Sequence, residues 1–185
     1  MAREHYAHGG GGHWFGKVKN IFLIGMPSSG KSTLGRRLAN ELHYRFVDTD
    51  RIVTREENRT IAEIFAQSGE PYFRDVESRA LHTIRPGDAL VVATGGGMPC
   101  FHDNMAYIKA TGISVFLDLS PEVLAERMVA HAAHDRPMFD HHDPELIEKL
   151  RHRYELRLPF YTQADIIISG PADEQALLRE LGNWL

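Results

Sequence analysis

At 185 residues, with 43% hydrophobic and 25% charged side chains, the chain has the size and composition of one globular domain. Its formal net charge of −4 excludes a global positive field for nucleic acid or an anionic membrane, so any anionic ligand must be gathered by a local cluster of arginines. The single cysteine, Cys100, excludes an internal disulfide and a Cys-x-x-Cys metal pair, and it suits a reducing compartment. No apolar run approaches the ~18 residues that would span a bilayer, and the N-terminus lacks the apolar core of a secretory signal. The expected location is the cytoplasm.

Residues 1–17 combine His5, His8 and His13 with the glycine run Gly9 to Gly12. Nothing there offsets backbone entropy, so a flexible extension or tag remnant is expected rather than a histidine metal site. Residues 18–185 form the folded domain. Short apolar runs follow at Ile21–Ile24, Phe46–Val47, Ala89–Ala93, Ile113–Leu119 and Ile166–Ile168. They are continuous rather than alternating, which predicts strands covered on both faces. Helical patterns lie between them, as at Leu34, Leu38 and Leu42. Thr60 with Glu63 predicts a capping box, while Ser120–Pro121 and Asp143–Pro144 each place a cap before a first-turn proline. Strands alternating with helices predict an α/β fold, a parallel sheet wrapped by helices in three layers.

The segment Gly25-Met26-Pro27-Ser28-Ser29-Gly30-Lys31-Ser32 fits the pattern GxxxxGK[ST] between an apolar strand and a helix opening near Lys31. Glycines let backbone N–H groups turn inward around phosphates, and the helix N-terminus adds free donors. Lys31 is expected to reach the β- and γ-phosphates of a nucleotide, with Ser32 on magnesium.

Three further features fall where strands of such a sheet should end. Asp48-Thr49-Asp50 follows Phe46–Val47, and on an extended segment its two carboxylates point the same way. One is expected to hold magnesium through water and the other to meet an acceptor hydroxyl, although either could serve only as a helix cap. Gly95-Gly96-Gly97 follows Ala89–Thr94, and glycines there allow backbone donors close to a ligand. Arginines recur at Arg74, with Glu77 three residues on to hold it; at Arg136, in the polar segment 130–143; and at Arg157, just before Pro159 and near the end of a helix expected over residues 144–158. Two arginines facing one pocket would clamp a carboxylate by paired bidentate contacts.

The ordered set GMPSSGKST, DTD, FRDVE, GGG, RPMF and RLPFY resembles the shikimate kinase family over residues 19–168. The resemblance implies a five-stranded parallel sheet of the nucleoside monophosphate kinase type; a monomer is expected, and charge and motifs point to no nucleic-acid or membrane partner. It implies ATP-dependent phosphorylation of a shikimate hydroxyl, giving shikimate 3-phosphate and ADP, a step of aromatic amino acid (chorismate) biosynthesis. ATP would bind the loop Gly25, Ser28, Ser29, Gly30, Lys31, Ser32 and Thr33, with Mg2+ on Ser32 supported by Asp48. Asp50 would orient the substrate hydroxyl and accept its proton late, since an ordinary aspartate of pKa ~3.9 is a weak base at neutral pH. Arg74 and Arg157 would clamp the carboxylate, with Gly95, Gly96 and Gly97 donating from the backbone. Arg136, on a lid over residues 130–143, would reach the transferring phosphate.

The lid motif departs from the family's usual Arg-Pro-Leu-Leu, reading Arg136-Pro137-Met138-Phe139, and the lid carries His131, His134, His141 and His142. A solvated histidine-rich lid is expected there. Arg127 is the candidate for stacking on adenine, near a loop at Ser169-Gly170-Pro171. Two rivals are a gluconate kinase of the same fold, which would not need two clamping arginines placed as Arg74 and Arg157 are, and a non-catalytic nucleotide-binding module, against which Lys31, Ser32, Asp48, Asp50 and Arg136 together argue.

Overall fold

The structure is a computed structural model that describes residues 18–130 and 143–185. Five strands form one parallel sheet in the order β2-β3-β1-β4-β5: β1 Asn20–Ile24, β2 Arg45–Asp48, β3 Leu90–Ala93, β4 Gly112–Asp118 and β5 Ile166–Ser169. The helices are α1 Lys31–Leu42, α2 Thr49–Glu57, α3 Ile61–His82, α4 Asn104–Thr111, α5 Pro121–Ala130, α6 Leu146–Tyr161 and α7 Glu174–Leu181. Every residue of β1 is buried, as its unbroken apolar run requires of a central strand. Phe22 and Ile24 face one core, closed by residues of α4, α5 and α6 such as Ile108, Leu124 and Leu150. Ile21 and Leu23 face the other, closed by Leu34 and Leu38 of α1 and Leu177 and Leu181 of α7. The expected three layers are present. A separate small core, Val53, Ile64, Phe73, Val76 and Ala80, joins α2 to α3 beside the sheet.

Most predicted punctuation holds. Thr60 and Glu63 form the reciprocal capping box of α3, and Pro121 opens α5 with Ser120 Oγ accepting from Val123 N–H. Three boundaries differ. Ala89 lies outside β3 because it adopts φ 55°. The helix expected over 144–158 starts two residues later, because Asp143 turns back to accept from Glu145 N–H. It also runs through Pro159 to Tyr161. So near the end a proline removes one ladder bond, and the carbonyl that loses it belongs to the exposed Glu155, where water can replace the donor. Helix α3 bends at Gly69, which takes φ 81° and ψ 171° ahead of Pro71.

The order of strands places a topological switch beside β1, whose neighbours β3 and β4 are reached in opposite directions from it. Ligands of open α/β sheets bind outside the carboxyl ends of the strands at such a point. The residue at the opposite end of β1 holds the sheet together. Asn20 is fully buried; its Nδ2 donates to Arg85 O at 2.8 Å and Thr111 O at 3.4 Å, and its Oδ1 accepts from Leu90 N–H at 3.1 Å. Asn20→Ala leaves these backbone groups without partners in a dry site. It is expected to destabilise the fold by about 2–4 kcal/mol with little change in substrate KM values, as read by denaturant unfolding beside steady-state kinetics.

Candidate active site

The loop between β1 and α1 is shaped by two glycines that other residues could not replace without strain. Gly25 takes φ 143°, and a Cβ there would lie 2.8 Å from Leu117 O; Gly30 takes φ 97° just before α1 begins. Ser28 is also in the left-handed region, at φ 66°. Lys31 folds back across this loop, its Nζ donating to Gly25 O at 2.9 Å, Met26 O at 2.8 Å and Ser29 Oγ at 3.4 Å. The ammonium is therefore held at the mouth of the loop, where phosphate oxygens would exchange for carbonyl ones. Thr33 is exposed in the first turn of α1, and Arg127 at the end of α5 donates to Ser29 O at 3.2 Å. Arg127 thus touches the loop from the side of β4. Gly170, in the loop expected near the adenine, donates to Asp118 O at 2.9 Å, which brings that loop to the end of β4 as well.

Asp48-Thr49-Asp50 is not extended throughout. β2 ends at Asp48, and Asp50 already lies in the first turn of α2, so the pair does not share one extended segment and the two carboxylates meet different partners. Asp48 is the N-cap of α2: one oxygen accepts from Asp50 N–H at 3.1 Å and the other from Ser32 Oγ at 2.9 Å. It caps a helix and also meets the hydroxyl of the phosphate loop. Thr49, fully buried, accepts from Gly95 N–H at 2.9 Å and so ties α2 to the end of β3. The pairing of a serine hydroxyl with a carboxylate at a helix N-terminus is a hard-oxygen donor set suited to Mg2+ with most of its waters kept.

The glycine triplet is where the remaining charged groups converge. A Cβ on Gly95 would lie 2.6 Å from Glu77 Oε1 and 2.9 Å from Asp50 Oδ1; one on Gly96, 3.0 Å from Arg157 Nη1; one on Gly97, 2.5 Å from Arg74 Nη1. Only glycine leaves room for these tips. Arg74 on α3 and Arg157 on α6 therefore converge on adjacent residues, although 83 positions separate them in the chain. Both are buried. Arg74 donates to Glu77 Oε2 at 2.6 Å and to Glu70 Oε1 at 2.8 Å, and its guanidinium lies 4.3 Å from the ring centre of Phe101. Tyr161 fixes the triplet from α6, donating to Gly96 O at 2.6 Å. Arg136, the lid and its histidines lie outside the described residues, as do residues 1–17.

Three members of this pocket were not foreseen from the sequence. Glu70 adds a second carboxylate to Arg74, one turn before it. Arg153 precedes Arg157 by one turn of α6, and burial together with the nearby Arg157 and Arg74 makes it hold its proton less firmly than an ordinary arginine. Tyr161 is the third, and burial raises its phenol well above the usual range. The spacing of four residues was a usable signal for Glu70 and Arg153; for Tyr161 there was none.

A phosphate-cradling loop at the switch point of a parallel sheet, facing a pocket of arginines and carboxylates, defines a P-loop kinase of small acidic molecules. The family model "Shikimate kinase" matches residues 27–184. A shikimate kinase of Bacteroides fragilis is 42% identical over 148 residues, covering 80% of this chain and 82% of its own. One from Clostridium botulinum is 37% identical over 161 residues, covering 87% and 93%. Among solved structures, shikimate kinase from Bacteroides thetaiotaomicron superposes with a TM-score of 0.81 at 34% identity, covering 90% of this chain and 97% of that one. Shikimate kinase from Acinetobacter baumannii, in complex with shikimate, also gives 0.81, at 32% identity and with 91% and 96% covered. The chain belongs to the shikimate kinase family.

The buried Glu77 gives the fold a pH dependence. Burial pushes its carboxyl up to about 7, against the pull of Arg74. The folded protein then holds a proton that the unfolded chain, with an ordinary carboxyl near 4.5, releases. Stability should therefore fall as the pH rises from about 4.5 to about 7, by roughly 2–3 kcal/mol relative to Glu77→Gln, which has no proton to lose. Urea unfolding of both proteins across that window measures the difference; parallel curves would exclude it.

Proposed function

We propose that the described site performs the family's reaction as follows: ATP lies along the loop Gly25 to Thr33, and shikimate lies over Gly95–Gly97 with its carboxylate between Arg74 and Arg157. The enzyme transfers the γ-phosphoryl group of ATP to a shikimate hydroxyl. The single observation that supports the acceptor assignment most strongly is the meeting of Arg74, Arg157 and Asp50 at three successive glycines. Two guanidinium groups can hold one carboxylate bidentately, which fixes the ring and selects acids over neutral sugars. Asp50, at the far side of the same triplet, is placed to accept a hydrogen bond from the hydroxyl that attacks.

Phosphoryl transfer asks for alignment and charge neutralisation more than for covalent chemistry. Lys31 follows the charge that spreads over the phosphoryl oxygens, leaving its carbonyl partners for the β- and γ-phosphates. Ser32 and Asp48 would hold Mg2+, Ser32 directly and Asp48 through water; when bound, the ion supplies neutralisation of the triphosphate. Arg136, outside the described residues, would complete the ring of positive charge from the lid. Arg127 guards the loop edge toward the base. Asp50 chiefly orients the attacking oxygen and takes its proton as the bond to phosphorus forms. An ATP-dependent reaction and a lone thiol support a cytoplasmic location.

The direct test is ADP release in a coupled assay with shikimate, with gluconate as control: shikimate alone should stimulate turnover. Asp50→Asn should lower kcat by about 10²–10⁴-fold while leaving ATP affinity within a factor of a few. Turnover near that of the native enzyme would remove Asp50 from the role.

A further inference from the structure

The acceptor pocket contains an acid for which the reaction above has no use. Glu77 is 1% exposed, and its two oxygens face different partners. Oε2 accepts from Arg74 Nη1 at 2.6 Å. Oε1 lies on the Gly95 side, near the point that Asp50 Oδ1 also approaches. The charged or titratable groups around it are Arg74 on its own helix, Asp50 of α2, Arg157 of α6 and Cys100 of the 3-10 turn after the glycines. Two arginines hold it ionised; burial and Asp50 oppose them.

Among the described residues, and with Glu77 ionised, the charges of this pocket are balanced before substrate arrives. Arg74, Arg153 and Arg157 face Glu70, Glu77 and Asp50. A substrate carboxylate seated between Arg74 and Arg157 adds one more negative charge and engages the two guanidinium groups that keep Glu77 ionised. Glu70 can answer by turning outward, since its side chain is 54% exposed. Glu77, fully enclosed, cannot. The remaining way to restore balance in a dry site is to neutralise it.

We propose that Glu77 is the charge-matching residue of the acceptor site, taking up a proton as the substrate carboxylate docks on Arg74 and Arg157. This rests on the assignment of shikimate to that pocket. Protonated on Oε1, Glu77 has a donor on the side of Asp50, while Oε2 continues to accept from Arg74. Asp50 thereby faces a neutral neighbour in place of a like charge. The acid substrate enters together with a proton, and a third anion in the pocket is avoided.

The sign of the linkage follows from the free enzyme, where burial puts the Glu77 carboxyl at about 7. Below that pH it is already protonated and binding takes up nothing. Above it, binding must supply the proton, so shikimate affinity weakens as the pH rises, by at most about tenfold per pH unit.

Calorimetric titration of shikimate into the full chain at about pH 8, in buffers of different ionisation enthalpy, reads the proton directly. The observed enthalpy should vary with the buffer, with a slope corresponding to uptake of roughly half a proton or more, and the slope should vanish near pH 5.5. Glu77→Gln, neutral at all these pH values, should bind with no buffer dependence. Shikimate binding by the native enzyme with a buffer-independent enthalpy at pH 8 would overturn this role of Glu77 and leave the acceptor assignment standing. A slope unchanged in Glu77→Gln would move the proton elsewhere and equally overturn it. Absence of any shikimate binding would overturn both.

Discussion

The site depends on a missing atom at three successive positions. Beyond β3 the chain carries no Cβ on Gly95, Gly96 or Gly97, and the space is filled by a carboxylate pair, a guanidinium and a second guanidinium delivered from α2, α3 and α6. Helix α6 lies far along the chain from the neighbouring helices α2 and α3, and the triplet is where charged tips of all three come together. A methyl group would sit 2.6 Å from Glu77 Oε1 at Gly95 and 2.5 Å from Arg74 Nη1 at Gly97, forcing those tips to shift, and would press on Arg157 Nη1 at 3.0 Å from Gly96; a buried ion pair tolerates such shifts poorly because its hydrogen bonds carry the compensation for lost hydration. The triplet is a mould that sets where charges may sit, and its donors to a ligand come in addition to that.

The same constraint explains how a net acidic protein selects an anion. Long-range attraction is unavailable at −4. What the fold offers is a local cluster in which Arg74 and Lys31 are already committed. Arg74 lies between Glu70 and Glu77 with Phe101 stacked over it, and Lys31 is bonded to its own loop. Such groups are oriented before any ligand arrives, so binding replaces partners rather than collecting mobile side chains. Where the replaced partner is exposed, as Glu70 is, it can simply swing into water; where it is sealed in, its ionisation state must respond.

The sheet, its five strands and the phosphate loop were legible because unbroken apolar runs, capping signals and a spaced glycine motif are local properties. Ile21–Ile24, Thr60 with Glu63 and Gly25 to Ser32 each announce their structure within a few residues. The clamp was legible in part: Arg74 with Glu77 is a helical neighbour relation, whereas its convergence with Arg157 came from family resemblance and required three-dimensional placement. The geometry of Asp48 and Asp50 differs from the expected one for a physical reason. Periodicity cannot tell whether a polar pair ends a strand or starts a helix, and here the boundary falls between them. Helix α6 was likewise cut short at Pro159, since a proline's cost depends on whether water can reach the carbonyl it leaves free. The burial of Glu77 depended on tertiary packing of the small core of α2 and α3 and left no trace in local pattern.

That boundary between Asp48 and Asp50 has a consequence for how the two halves of the site communicate. Asp48 bonds to the phosphate loop through Ser32, and its other oxygen holds the first turn of α2, where Asp50 resides. Thr49, between them, is bonded to the backbone of Gly95. A single tripeptide therefore touches the nucleotide loop, the glycine triplet and the acceptor pocket within one helical turn. Any shift in Asp48, such as a change in what Ser32 contacts when a metal-bound triphosphate arrives, must move the start of α2 and with it the carboxylate that faces the acceptor. Coupling between the two substrates then needs no distant relay, because Asp48, which both ends the strand and caps the helix, is followed directly by Thr49 and by Asp50, the carboxylate proposed to meet the acceptor, and their hydrogen bonds cannot be rearranged one at a time.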